Sequence, residues 1–321
     1  MRISFSTTFR PVLGAIGLAA ALAACTTDLL PASTAKPAAP HDTAPFEAPV
    51  TAPDRAALEA ADYYRRIEAN TLSQGLLRLD GGGNDTPFGP RQLSENFLRI
   101  TFFDEFSESG GKLVAGGREE RLHRWQKPVR LALEFDPMIP LAERSADRAL
   151  VSRYLARLSR ITGLSMRLVP ANGNFVVMVL NPTERSAARG RILAAAPGTS
   201  AAALQSAVAM KPDTYCTVFS YFTGRSTHYD RAVAIIRGEL PERMRLNCFH
   251  EEIAQGLGLI NDSPKARPSI FNDSEEFAAL TTQDEMMLRI LYDKRLRPGM
   301  TLAEARPIVE TIAAELLPGD S

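Results

Sequence analysis

The segment Val129–Phe135 limits most strongly what this chain can fold into. Val129, Leu131, Leu133 and Phe135 alternate with Arg130, Ala132 and Glu134, the period-two pattern of a strand with one buried face. A helical stretch follows, with Ser145 placed as its N-cap and Gly163 at its end. Val151, Tyr154, Leu155, Leu158 and Ile161 share one face of it. Apolar runs at 166–169, 175–180, 216–222 and 232–236 predict further strands, with a helical turn in the Ala-rich stretch 200–210. Residues 97–103 also read as a strand. The pairs Gly110-Gly111 and Gly116-Gly117 predict a loop or loose hairpin after it. Strands interleaved with helices in this order predict an α/β (α+β) domain with a twisted mixed sheet of about five strands.

The flanks divide the chain into segments. A first helix is expected over 55–79, with Leu58, Ala61, Tyr64 and Ile67 near one face, and Gly81-Gly82-Gly83-Asn84 breaks it. Lys294, Arg295 and Arg297 read as a solvated basic turn, and Pro298-Gly299 precedes a final amphipathic helix over 302–316. Trp125 reads as core. The expected boundaries are a signal segment at 1–24, a Pro/Ala/Thr-rich tether at 25–54, a helix within 55–80 and one domain over 81–321.

The leader has the pattern of an export signal. Arg2 and Arg10 precede an apolar run over 11–24 that is too short to span a bilayer. Leu22-Ala23-Ala24-Cys25 resembles a bacterial lipobox, which implies lipidation at Cys25 and a lipid anchor in the membrane. Thr26 and Thr27 follow in place of the Asp that would argue for inner-membrane retention. The expected location is therefore the periplasmic side of the outer membrane. Two further cysteines, Cys216 and Cys248, predict a disulfide in an oxidising compartment. Two buried thiols, or a metal site with His250, are the alternatives. The 37 basic and 37 acidic residues cancel, so charge gives no reason to expect nucleic acid as a partner.

Chemistry concentrates in Glu251-Glu252-Ile253-Ala254-Gln255-Gly256-Leu257-Gly258-Leu259. Glu251 and Gln255 stand at i and i+4, one turn apart on one helical face. Taken alone, the Glu pair opposes a helix dipole in a first turn. His250 reads as a capping or surface histidine, because a frame starting there puts Ala254 at the second ligand position.

The helix resembles the H-E-x-x-H zinc helix of zincins with its imidazoles exchanged. Gly256-Leu257-Gly258-Leu259 resembles the A-L-G-L of the matrixin branch of the metzincins. Ser269-Ile270-Phe271 resembles its S-I-M Met-turn, and Leu280-Thr281-Thr282-Gln283-Asp284 through Leu291-Tyr292-Asp293 its last helix. The same blocks are similar to an uncharacterised family of exported bacterial proteins. The resemblance implies a zincin-like domain with a site helix packed under the sheet and a smaller helical C-terminal part. It implies Glu252 at the general-base position, Glu251, Gln255 and Asn261 at the ligand positions, Gly258 at the turn and Phe271 at the Met-turn. One carboxylate and two amides are a poor zinc set, so no zinc and no other cofactor is expected, a hard cation such as calcium being the one alternative. The implied role is a pseudo-peptidase, a binding or scaffolding module for envelope peptides or proteins. The rival is a hydrolase that uses Glu252 as base with rearranged metal ligands.

Overall fold

The structure is a computed structural model and describes residues 3–8, 55–109, 112–222, 224 and 226–317. Cys25, the tether and most of the expected leader lie outside the described residues. The chain order starts with β1 (Ile3–Thr8), α1 (Arg55–Ser73), α2 (Pro90–Thr101), the hairpin β2 (Phe106–Ser109) and β3 (Lys112–Ala115), and the short β4 (Arg124–Trp125). Then come β5 (Val129–Phe135), α3 (Leu141–Thr162), β6 (Met166–Val169) and β7 (Phe175–Leu180). α4 (Pro182–Ala187), α5 (Arg189–Ala195) and α6 (Ala201–Ala209) lead to β8 (Cys216–Phe222), β9 (His228–Tyr229) and β10 (Arg231–Arg237). α7 (Glu242–Gln255), α8 (Thr282–Tyr292) and α9 (Leu302–Leu316) complete the fold.

The expected α/β architecture is present as a mixed sheet in the order β8-β10-β7-β5-β6. β6, β5, β7 and β10 are parallel, and β8 runs antiparallel to β10. β1 adds a sixth strand, parallel along the outer edge of β8. The sequence places that leader segment outside the fold. An edge strand presents a row of backbone donors and acceptors that any extended segment can pair with.

Both faces of the sheet are covered. Leu131, Leu133, Val177, Val179, Ala234 and Ile236 face a large core shared with α2, α3, α7, α8 and α9. Val176, Met178, Leu180, Val233 and Ile235 face a second core under α5 and α6. Burial on both faces explains why β7 and β10 are nearly continuous apolar runs rather than alternating ones.

Three local expectations change. Residues 97–103 lie largely in α2, not in a strand. Pro90 sits in its first turn, and Leu93, Phe97 and Ile100 form its buried face. α3 begins at Leu141 behind Pro140, ahead of Ser145. α1 stops at Ser73, because Leu77 and Arg78 donate backbone hydrogen bonds to Glu275 and Glu276 instead of continuing a helix. Tyr64 carries the burial of α1, while Leu58 stays 52% exposed.

The predicted disulfide joins Cys216 to Cys248, with Cα atoms 5.9 Å apart. It fastens the first residue of β8 to α7, which packs against β8 and β10.

Candidate functional site

α7 starts behind Pro241, which offers no side-chain cap. Glu68 of α1 supplies one by accepting the Met244 N–H at 2.9 Å. The helix then crosses the core, with Met244, Cys248, Phe249 and Ile253 against the sheet. It ends where Gly256 meets Phe175 at the start of β7. A Cβ on Gly256 would come within 2.5 Å of that ring, so only glycine permits the approach. Trp125 donates its indole N–H to the Gly256 carbonyl at 2.8 Å, and Tyr292 donates its hydroxyl to the Leu257 carbonyl at 3.1 Å. Gly258 turns the chain at φ +128°, and a Cβ there would lie 2.5 Å from the His123 carbonyl oxygen.

Glu251, Glu252 and Gln255 are all fully buried on this last stretch of α7. Gln255 donates Nε2–H to Asp262 Oδ1 at 3.1 Å, while its Oε1 accepts no hydrogen bond among the described residues. Asn261 donates to the Arg99 carbonyl of α2 at 3.2 Å. Both amides therefore spend a donor on neighbouring protein oxygens. Among the described residues no three His, Cys, Asp or Glu side chains form a set that could hold a metal ion. Two amides already engaged in this way do not fit zinc, which prefers imidazole and thiolate.

Glu105, in the loop between α2 and β2, belongs to the same neighbourhood and carried no sequence signal. Burial pushes its carboxyl up to about 10, reinforced by Asp262, Asp273 and Glu252. Its Oε2 is buried and accepts no hydrogen bond among the described residues. The end of α7 is thus an acidic neighbourhood in which Glu105 holds a proton at neutral pH. Asp104 beside it is raised to about 7 by burial and by Glu120.

The downstream blocks close the region. Ser269 donates to Asp284 Oδ1 at 2.5 Å, and the Ile270 and Thr281 N–H groups reach Asp284 Oδ2 at 3.1 and 2.9 Å. Thr281 and Asp284 form the capping box of α8. This accounts physically for the Thr-x-x-Asp spacing in the sequence. Phe271 is fully buried, and its carbonyl accepts the Ser263 N–H at 2.9 Å. The 269–271 turn and α7 share one core.

His250 is neither surface nor cap. Its ring stacks on Tyr154 at 4.0 Å, and Nδ1 accepts the Leu280 N–H at 3.0 Å. Burial holds its pKa down to about 3, with Arg157 adding to the effect. The ring is therefore neutral and structural. Of the basic turn, Arg295 is tied to Asp293 and Glu315.

No curated protein and no solved structure matches the chain. The model of a family described as protein of unknown function (DUF2927) matches residues 90–311, which takes in β5, β6, β7, β8 and β10 of the sheet, α7 and the closing blocks. The chain belongs to the DUF2927 family.

Proposed function

We propose that this is an exported, lipid-anchored module of the cell envelope. Its metzincin-like domain binds an extended peptide and does not use zinc. The observation that carries the reading is the donor set at the end of α7. By the sequence resemblance Glu251, Gln255 and Asn261 take the positions of the imidazoles, and both amides bond to neighbouring oxygens. The edge of β8 supports the binding role, since a segment laid along it pairs in register over six residues. Removal of a cleaved leader would leave that edge for a peptide, which would add as a strand. The disulfide between Cys216 and Cys248 fits an oxidising compartment.

The test combines metal analysis of the purified protein with a peptide array. The expected result is substoichiometric zinc and binding of a subset of peptides without cleavage. Stoichiometric zinc, with hydrolysis abolished by a chelator, would overturn it. The anchor is tested separately by fatty-acid labelling, which Cys25→Ser should abolish.

One observation favours a second reading, that of a metal-independent hydrolase. Glu105, protonated at neutral pH, neighbours Glu252, which gives a proton donor beside a candidate base. On that reading Glu252→Gln abolishes turnover of any peptide the array identifies. Unchanged turnover sinks it.

A further inference from the structure

A second site lies at the other end of α7. The carboxyl ends of β5, β7 and β10 open on a cavity of about 1030 Å³. Its floor is built from the residues that leave those strands, Asp136, Asn181 and Glu239. α3 leaves β5 toward one face of the sheet, whereas α4, α5 and α6 leave β7 toward the other. Adjacent parallel strands whose chains depart to opposite faces leave a crevice between their ends, where open α/β sheets hold ligands. The crevice reaches along α7 only as far as Leu246, about 9 Å of helix short of Glu252, so it is distinct from the site above.

The crevice walls define the chemistry of an occupant. Ala61, Ile139, Leu150 and Leu246 line it. Leu58 and Met138 also line it and remain 52% and 38% exposed. Large apolar side chains left open at a cavity mark an interaction site. The charged groups of the wall are mostly engaged within the fold. Arg245 holds Glu143 and Asp147, each at 3.1 Å. Glu239 takes Arg237 at 2.8 Å and Arg185 at 3.4 Å. Asp136 accepts the Met138 and Asn181 N–H groups. Arg153 and Glu242 also line the wall and are opposite in sign, so the crevice favours neither an anion nor a cation, and its floor carboxylates are already engaged. Asn181 is placed differently. It stands at the N-cap position of α4 without capping it, so its amide is available to a ligand as both donor and acceptor.

We propose that this crevice binds a short, uncharged peptide segment with apolar side chains, its backbone amide paired with Asn181. A purely hydrocarbon ligand would bury that amide with nothing to bond to, at a desolvation cost a peptide avoids. The volume is at the upper end for a small-ligand site. The inference goes beyond the proposed function, because neither the β8 edge nor Glu252 takes part.

The test is calorimetric titration of the full chain with an uncharged, doubly capped tetrapeptide of alternating leucine and alanine. Saturable binding is expected. Ala146→Trp, which fills the crevice from an exposed wall position, should weaken it about tenfold or more. Asn181→Ala, which removes no helix cap, should do the same. Leu193→Ser, at an exposed apolar position on α5, should leave it unchanged. Absence of saturable binding up to about 5 mM overturns the proposal. So does equal affinity in the folded Ala146→Trp and Asn181→Ala proteins.

Discussion

Lowering the pH tests the environment of His250. The ring lies against Tyr154, and Nδ1 accepts the Leu280 N–H. Burial depresses its pKa to about 3, against about 6.5 in an unfolded chain. The unfolded chain therefore binds a proton that the folded chain refuses. Stability is complete above about pH 6.5 and falls as the pH drops toward 3. Each pH unit inside that window costs about 1.4 kcal/mol, so moving to pH 4.5 removes about 3 kcal/mol through this group alone. Asp104 and Glu105, whose carboxyls are raised by burial, act in the opposite sense. A comparison with His250→Asn cancels their contribution and keeps an acceptor for the Leu280 N–H. Urea unfolding at pH 7.5 and 4.5 is the assay. The variant should be less stable at pH 7.5 by about 1–2 kcal/mol, and the gap should close or reverse at pH 4.5. A gap that does not change with pH refutes the assignment of His250 as a buried neutral ring.

Reducing the Cys216–Cys248 bridge, which closes a sequence separation of 32 residues, should cost about 3–4 kcal/mol in chemical unfolding. Glu68→Ala removes the acceptor of the Met244 N–H and should cost about 1 kcal/mol; hydrogen exchange should rise in the first turn of α7. Gly256→Ala drives a methyl into the Phe175 ring and should destabilise by about 1–3 kcal/mol in thermal or urea unfolding. Glu252→Gln replaces a fully buried carboxyl with a neutral amide of similar shape, so stability at pH 7 should stay level or rise by about 1 kcal/mol. A loss above about 2 kcal/mol would mean that its carboxylate holds the fold.

The strands were legible where the chain itself carries the period or the composition. Val129–Phe135 alternates, and Phe175–Leu180 and Cys216–Phe222 are short apolar runs bounded by turn or polar residues. The 97–103 stretch misled because a dense apolar run fits either period. Its helical face shows only when Pro90 and Leu93 are read with it. Arg78 left α1 for a pairing with the 275–278 segment, a tertiary preference that no local pattern announces. The end of α7 was readable because Glu251, Glu252, Gln255, Gly256 and Gly258 sit within one helical end and its turn. Glu105 was not, since a lone acidic residue in a loop becomes informative only when the fold sets it beside Asp262 and Glu252. The crevice was hidden for the same reason. Asp136, Asn181 and Glu239 are far apart in sequence and meet only because three parallel strands end side by side.

The burial of Glu251, Glu252 and Gln255 bears on why α7 carries them. All three lie inside the core, among Ile253, Ala254 and Leu257. Apolar side chains of similar volume would fill that space without desolvating a charge or an amide. Gln255 goes further, its Oε1 finding no donor among the described residues while its Nε2–H is held by Asp262. An acceptor left in that state works against stability. The end of α7 is therefore more polar than packing requires, whereas Met244, Cys248, Phe249 and Ile253 on the same helix meet the packing need. That contrast within one helix is what supports the proposal of a site at its C-terminal end.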